Sequence, residues 1–326
     1  MKLAVWGGSG FIGTTLVTLL LKNPKNRVKI FDKKLSVTHK QICELADIVE
    51  FRGECYFDVL INLAAEHKDD VLPIDMYDRV NVEGAKNLCN LARKNNISHI
   101  IFTSSVAVYG FAEIGADESA KIAPYNDYGR TKWEAEQVYR EWQAEDEQKR
   151  TLTIIRPTVV FGEKNRGNVF NLFKQIASGR FLMIGNGKNR KSMAYVENVA
   201  AFIEYSLTFK KGIHLYNYVD KPDFSMNKLI GYVSNLLGQG SKTKIRLPYI
   251  IGLLIGNLFD FAAKISGKKF SISAIRVKKF CSNSVYKSRI DNTGFLAPVE
   301  LTKAIEKTVR FEFLEDYEDE PVYFSE

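Results

Sequence analysis

The chain has 326 residues, enough for one large domain or two intimate ones with a sizeable buried core. Lysine and arginine outnumber aspartate and glutamate by 46 to 38, a formal net charge of +8. Cysteines 43, 55, 89 and 281 have neither metal-ligand spacing nor a paired motif, and no signal-peptide pattern precedes them. They read as reduced thiols of a cytosolic protein without a metal.

Leu3-Ala4-Val5-Trp6 is an apolar run that reads as a buried parallel strand, and Phe11 to Leu21 reads as the helix after it. Between them stands Gly7-Gly8-Ser9-Gly10-Phe11-Ile12-Gly13, of the form G-x-x-G-x-x-G. Gly7 permits the tight turn, Gly10 lets a pyrophosphate approach the backbone, and Gly13 lets the helix pack close to the strand. The diphosphate of a dinucleotide then rests on free N–H groups at the helix start, where Phe11 and Ile12 lie. The next apolar run, Arg27 to Phe31, ends in Asp32, 19 residues after Gly13. A carboxylate there accepts both ribose hydroxyls of NAD and repels a 2′-phosphate. NAD is therefore expected over NADP, although Lys33 and Lys34 soften the repulsion.

Further along, the apolar strand Ile100-Ile101-Phe102 ends in the hydroxyl cluster Thr103-Ser104-Ser105. One crossover later come Tyr128 and Lys132, whose i, i+4 spacing puts both on one helix face. A free phenol is a poor base at neutral pH. A nearby ammonium and the positive nicotinamide ring are expected to lower its pKa by about 2–3 units and make Tyr128 a general base. Ser105 is expected to hydrogen-bond the oxygen that Tyr128 deprotonates, with Thr103 and Ser104 as caps of the strand end. The alternation of strand and helix patterns predicts a parallel sheet covered on both faces.

Charge is uneven toward the C-terminus. From Ser241 to Ile290 there are eleven lysines or arginines and one acid, Asp260, whereas Glu312 to Glu326 holds seven acids and no base. The basic block surrounds thirteen apolar or small residues between Arg246 and Asp260, too few to cross a bilayer as a helix. With Lys264, Lys268 and Lys269 at its edge, the segment 246–269 fits a helix lying in an anionic membrane surface. It equally fits a core or dimer-interface helix beside a solvated basic face. The block has few interleaved aromatics and no nucleic-acid-binding module, so nucleic acid is not expected as a partner.

The glycine turn, Asp32, Ser105 and Tyr128-x-x-x-Lys132 together resemble the extended short-chain dehydrogenase/reductase family, in its nucleotide-sugar epimerase/dehydratase branch. The resemblance covers nearly the whole chain. It implies an α/β fold: a doubly wound parallel sheet of Rossmann type over 1–162 and 190–217, and a smaller C-terminal substrate lobe over 163–189 and 218–326. It places Asp47 and Ile48 at the adenine, and Leu63-Ala64-Ala65 beneath the nicotinamide ribose. Asn81 holds the helix beside the cofactor, Lys33 stands next to Asp32, Lys132 holds the ribose, and Arg156-Pro157 lies on the strand closing the nicotinamide pocket. The stretch from Asp47 to Asp58 is short, so the third crossover helix is expected to be clipped.

Longer strings are similar to a narrower group in that family, membrane-associated 4-epimerases of N-acetylhexosamine carried by undecaprenyl diphosphate in surface-polysaccharide assembly. They are 64–71, 102–110, 166–172, 191–196, 216–223 and 276–281. The implied reaction interconverts the N-acetylglucosamine and N-acetylgalactosamine forms through a transient 4-keto sugar on bound NAD. The implied partners are the lipid-linked or nucleotide-linked amino sugar, the cytoplasmic face of the inner membrane, and a second copy pairing through the helix of Tyr128.

Departures from the family pattern narrow the reaction. Dehydratases need an acidic pair where this chain has Val106 and Ala107. UDP-sugar epimerases place an asparagine where Thr158 and Val159 stand, and an Arg-Asp pair where Lys191-Ser192 stands. Arg166, Lys191 and Arg276 are candidates to clamp a diphosphate, or are surface charges. Asn168 faces a phosphate or caps a helix, and His67 touches substrate or cofactor or makes a local bond. The rival readings are a UDP-N-acetylglucosamine 4-epimerase, a 4-ketoreductase with exchangeable NADPH, and a non-enzymatic nucleotide-sensing scaffold.

Overall fold

In β1 (Lys2–Trp6), Leu3 and Val5 enter the core on one face of the sheet and Ala4 and Trp6 the core on the other. A strand buried on both faces requires such an uninterrupted apolar run. The computed structural model describes residues 1–53, 56–68, 71–240, 245–266, 273–317 and 321–324. The readings attached to Cys55, Asp69, Asp70, Lys268 and Lys269 fall outside the described residues.

After β1 come α1 (Phe11–Leu20), β2 (Arg27–Asp32), β3 (Cys43–Leu45) and β4 (Val59–Asn62). A π-helical turn at Asp78–Glu83 leads into α2 (Gly84–Lys94), followed by β5 (His99–Thr103), a 3-10 turn at Val106–Tyr109, α3 (Asp127–Ala144) and β6 (Thr151–Pro157). Then follow β7 (Val159–Phe161), α4 (Asn168–Ala177), β8 (Leu182–Ile184), β9 (Arg190–Tyr195), α5 (Val196–Ser206) and β10 (Gly212–Tyr218). The chain continues with β11 (Asp220–Ser225), α6 (Met226–Leu236), β12 (Ile245–Leu247), α7 (Tyr249–Ser266), α8 (Ala274–Cys281) and α9 (Leu301–Phe313).

Seven strands form one parallel sheet in the order β10-β6-β5-β4-β1-β2-β3. Leu16 and Leu20 of α1 and Ala200 and Ile203 of α5 cover one face; Leu88 of α2 and Ala135, Tyr139 and Trp142 of α3 cover the other. The order reverses between β1 and β4, and such a reversal opens a ligand crevice at the carboxyl ends of the strands. Between β3 and β4 no helix occurs among the described residues. Phe51 N instead donates to Asp47 O at 2.9 Å in a single turn.

Three shorter strands make a second sheet in the order β11-β9-β7. Phe173 of α4, Leu229 and Val233 of α6, and Leu301, Ile305 and Val309 of α9 join Met193 and Tyr195 of β9 in one core. β8 and β12 pair in parallel beside α7.

The helix α7 corrects one expectation. Thirteen residues were too short to span a bilayer, but α7 runs through Asp260 and Lys264 to Ser266, 18 residues that by length and composition suffice to cross a membrane. The acid is tolerated because Asp260 Oδ2 accepts the Ala274 N–H at 3.0 Å, at the start of α8. The helix lies against the fold nonetheless. A Cβ on Gly252 would meet Ile184 Cγ2 at 2.7 Å, and one on Gly256 would meet the Ala274 backbone at 2.7 Å.

The turn between β1 and α1 is closely packed. A Cβ on Gly13 would stand 2.4 Å from Gly7 O and 2.5 Å from Gly8 Cα, both backbone atoms that cannot swing aside. Gly13→Val should therefore destabilise the protein by about 1–3 kcal/mol or more, through displacement of α1 from β1. Urea unfolding checks this, and an unchanged midpoint would contradict the packing.

Candidate active site

The crevice is lined first by the glycine turn. Gly7 has φ +76°, its N–H donates to Phe31 O at 2.9 Å, and a Cβ there would lie 2.6 Å from Ala64 N. Only glycine suits that conformation and that approach. Gly10 precedes α1 and supplies no side-chain cap, which leaves the first N–H groups of the helix for an anion. At the end of β2, Asp32 accepts from Ser9 N at 3.0 Å and from Lys34 N at 3.2 Å. Those two bonds orient the carboxylate, whose remaining lone pairs suit a diol. These features fit a dinucleotide, with its diphosphate on the turn and a ribose at Asp32.

The other expected cofactor residues surround the same crevice. Lys33 pairs with Glu66 at 3.4 Å, across its mouth. Asp47 accepts from Val49 N at 2.8 Å, and Ile48 is buried under Gly84. Leu63 N donates to Trp6 O at 2.8 Å, and Ala64 N to Asn62 Oδ1 at 3.0 Å, so Leu63-Ala64-Ala65 leave β4 in a fixed direction. Asn81 is 3 % exposed and joins three elements. Its Oδ1 accepts from Glu66 N at 2.9 Å, and its Nδ2 donates to Glu66 O at 3.0 Å and to Thr131 Oγ1 on α3 at 2.9 Å. Pro157 ends β6, in register with Tyr218 of β10.

The side chains expected to handle the proton lie at the end of β5 and the start of α3. Ser105 caps the 3-10 turn, its Oγ accepting from Ala107 N at 3.1 Å. Asn126 caps α3, its Oδ1 accepting from Gly129 N at 3.0 Å. A Cβ on Gly129 would lie 2.5 Å from Ala107 O, so that glycine lets the start of α3 close on the Ser105 turn. Tyr128 is thereby brought beside Ser105. Thr103 and Ser104 do secure the strand end: Thr103 donates to Asn62 O at 3.2 Å, and Ser104 Oγ to Glu136 Oε1 at 2.5 Å.

The expected lowering of the Tyr128 pKa is not supplied by the protein groups alone. Burial pushes the phenol up, and the hydrogen bond from Ser105 pulls it partly back. The Lys132 ammonium lies over the Phe102 ring, 4.4 Å from its centroid. Burial drags Lys132 from 10.5 down to about 7, and the charge of Glu136 raises it in part.

Sequence reasoning named Arg156 and Ser104 but missed Glu136, the carboxylate that both of them meet. Glu136 is fully buried and receives Arg156 Nε at 2.8 Å and Nη2 at 2.5 Å. Arg156 Nη1 donates to Tyr109 Oη at 2.7 Å, which donates to Asn217 Oδ1 at 2.8 Å. The available signal was an acid at i+4 from Lys132 and i+8 from Tyr128, on their helix face.

The expected substrate residues are scattered. Arg166 pairs with Glu312 at 2.6 Å and covers the Phe170 ring, so its charge anchors α9. Lys191 donates to Lys279 O at 2.7 Å and to Ser284 Oγ at 3.4 Å, and burial lowers it to about 8; it closes the last turn of α8. Neither side chain points its charge into open solvent as a surface clamp would. Asn168 is the exposed first residue of α4, and Gly167 holds the cap position. His67 is exposed, with Nδ1 3.4 Å from Ala65 O at the crevice edge. Arg276 is exposed on the first turn of α8.

Residues 3–218 match the NAD dependent epimerase/dehydratase family, and the chain belongs to that family. Its cofactor is NAD, as the turn and Asp32 fit. Over 326 residues the chain is 44% identical to N-acetyl-alpha-D-glucosaminyl-diphospho-ditrans,octacis-undecaprenol 4-epimerase of Escherichia coli O157:H7, covering 98% of each. A UDP-glucuronic acid 4-epimerase from Bacillus cereus, solved with NAD, superposes with a TM-score of 0.73 at 20% identity, over 96% of this chain and 98% of that one. A UDP-N-acetylglucosamine 4-epimerase from Methanobrevibacter ruminantium M1 superposes with a TM-score of 0.74 at 20% identity, over 95% and 97%. The two solved structures share the fold.

The Lys132 environment has a pH signature. Its folded value lies below its ordinary one, so the unfolded chain binds more protons between pH 7 and 10.5. The penalty of the buried charge is full below that window and is relieved as pH rises through it. Lys132→Met should make the NAD-stripped protein more stable at pH 7 by roughly 2–4 kcal/mol, with the margin vanishing as pH climbs. Denaturant midpoints across that range check this; parallel curves for the two proteins would contradict it.

Proposed function

We propose that this chain is a 4-epimerase of N-acetylhexosamine carried on undecaprenyl diphosphate, interconverting the N-acetylglucosamine and N-acetylgalactosamine forms in surface-polysaccharide assembly. The observation that carries the reading is one chain holding both the Ser105–Tyr128–Lys132 site and an outward apolar helix, α7. The 4-epimerase activity for which the relative in Escherichia coli is named supports it.

Tyr128 takes the proton of the sugar 4-hydroxyl at Oη and later returns it. Ser105 donates a hydrogen bond to the same sugar oxygen throughout. Lys132 holds the cofactor ribose and sets the local positive field. NAD held by the glycine turn, Asp32 and Lys132 would supply reversible hydride transfer at C4, with no net oxidation. The enzyme contributes position and electrostatics, as the rigid setting of the three side chains suits. Val106 and Ala107, beside Ser105, supply no acid or base for dehydration.

The lipid carrier asks for attachment at the cytoplasmic membrane face. Ile250, Leu254, Leu258, Phe261 and Ile265 of α7 are each 58–72 % exposed and share one helix face. Arg246 precedes the helix and Lys264 lies in its last turn, which suits a helix lying in an anionic surface. A UDP-linked substrate remains the second reading, favoured by the fold shared with a UDP-N-acetylglucosamine 4-epimerase. It leaves the apolar face of α7 without a purpose.

Two measurements test this reading. Purified protein incubated with undecaprenyl-diphosphate-linked N-acetylglucosamine should yield the galacto epimer, separable by chromatography of the released sugars. Product from UDP-N-acetylglucosamine alone would sink the lipid-linked reading and leave the chemistry. Tyr128→Phe should lower turnover by about 10²–10⁴-fold while NAD stays bound; retained turnover would exclude Tyr128 as the base.

A further inference from the structure

Between the site and α7 lies a pair of lysines that no reading above assigns. Lys278 and Lys279 are consecutive on α8, and each ammonium covers an aromatic ring. Lys278 Nζ is 4.9 Å from the Phe111 centroid and Lys279 Nζ 5.0 Å from that of Tyr125. The two rings are themselves 4.9 Å apart. Both ammoniums thus rest on two neighbouring rings, and an ammonium, with three donors, can also donate to a phosphate oxygen.

The platform lies near the active site along the chain. Tyr125 stands three residues before Tyr128, next to the Asn126 cap of α3, and Phe111 stands six residues after Ser105. At most about 10 Å of extended chain separates Tyr125 from Tyr128, the scale of one sugar ring with its diphosphate. The other side of α8 belongs to the membrane-facing helix. Val277 lies against Gly252, and Ala274 against Gly256, with the apolar row of α7 turned outward. Lys191 fastens the end of α8 to β9 through the Lys279 carbonyl, and Asn189 Nδ2 donates to Phe280 O at 2.7 Å. The lysines therefore sit on a fastened helix that packs on α7 and reaches the two rings flanking the Ser105 and Tyr128 segments.

We propose that Lys278 and Lys279 recognise the diphosphate that joins the sugar to its polyprenyl chain, holding it between the Ser105–Tyr128 site and the apolar face of α7. The inference rests on the lipid-linked reading above. The order of groups in the substrate is sugar, diphosphate, lipid, and the order of features here is hydroxyl pair, ammonium pair, apolar helix. Two primary ammoniums act as point charges on phosphate oxygens, a role that arginine shares and glutamine lacks.

The test uses the full chain with bound NAD in neutral-detergent micelles, so that anionic lipid plays no part. Steady-state constants for the undecaprenyl-diphosphate-linked sugar are measured for wild type, Lys278→Gln/Lys279→Gln and Lys278→Arg/Lys279→Arg. Inhibition by undecaprenyl diphosphate and by undecaprenyl monophosphate is measured alongside. The glutamine variant should show a KM raised tenfold or more with kcat within twofold, and should lose the preference for the diphosphate inhibitor. The arginine variant should keep both. An unchanged KM and inhibitor preference in the glutamine variant overturns the inference alone. Binding to vesicles containing phosphatidylglycerol is measured separately, and loss of that binding alone also overturns the inference, because the lysines then serve the general membrane surface. A wild-type protein inert toward the lipid-linked sugar overturns the underlying reading and the inference with it.

Discussion

The geometry of the site depends on the buried ion pair of Glu136 and Arg156. Both side chains are at most 1 % exposed, and the pair is bidentate. Desolvating two charges is expensive, and only good geometry and further hydrogen bonds repay it. Ser104 on the carboxylate and Tyr109 on the guanidinium provide those bonds. The pair ties α3 to β6, Ser104 ties both to the end of β5, and Tyr109 ties them to β10 through Asn217. Tyr128 and Lys132 lie on the same face of α3 as Glu136, so the helix cannot slide or turn without breaking the pair. Loss of one partner alone would strand a buried charge, at a cost of about 3–5 kcal/mol.

That constraint also explains why a costly lysine survives beside it. Lys132 is 1 % exposed and carries its charge into the core against burial. The Glu136 carboxylate offsets part of that penalty, and the Phe102 ring face receives the ammonium. A site that strains its own fold in this way is characteristic of function rather than of packing.

The parts legible in the sequence are those written by local geometry. The glycine turn, Asp32 and the Tyr128–Lys132 spacing each depend on one strand end or one helix turn. The parts that were illegible depend on partners far along the chain. Glu136 meets Arg156 across a crossover, and Arg166 meets Glu312 across 146 positions. Lys191 is claimed by a backbone carbonyl, which no sequence pattern advertises. The direction of the Tyr128 pKa escaped because burial opposes the charges that the sequence makes visible. The length of α7 escaped because Asp260 looked like an end, whereas its carboxylate accepts the first N–H of the next helix. Charges in a sequence count sites; the fold decides which remain available to a ligand.

The central claim is that the C4 hydrogen leaves as hydride and returns to the same sugar within one enclosed site. The most direct measurement follows substrate deuterated at C4, with mass analysis of the epimerised product. Full retention of deuterium at C4, with none gained from deuterated solvent in the unlabelled control, is the expected result. Washout of the label, or uptake of solvent deuterium at C4, would show a proton-transfer route at carbon and contradict the roles given to Tyr128 and bound NAD.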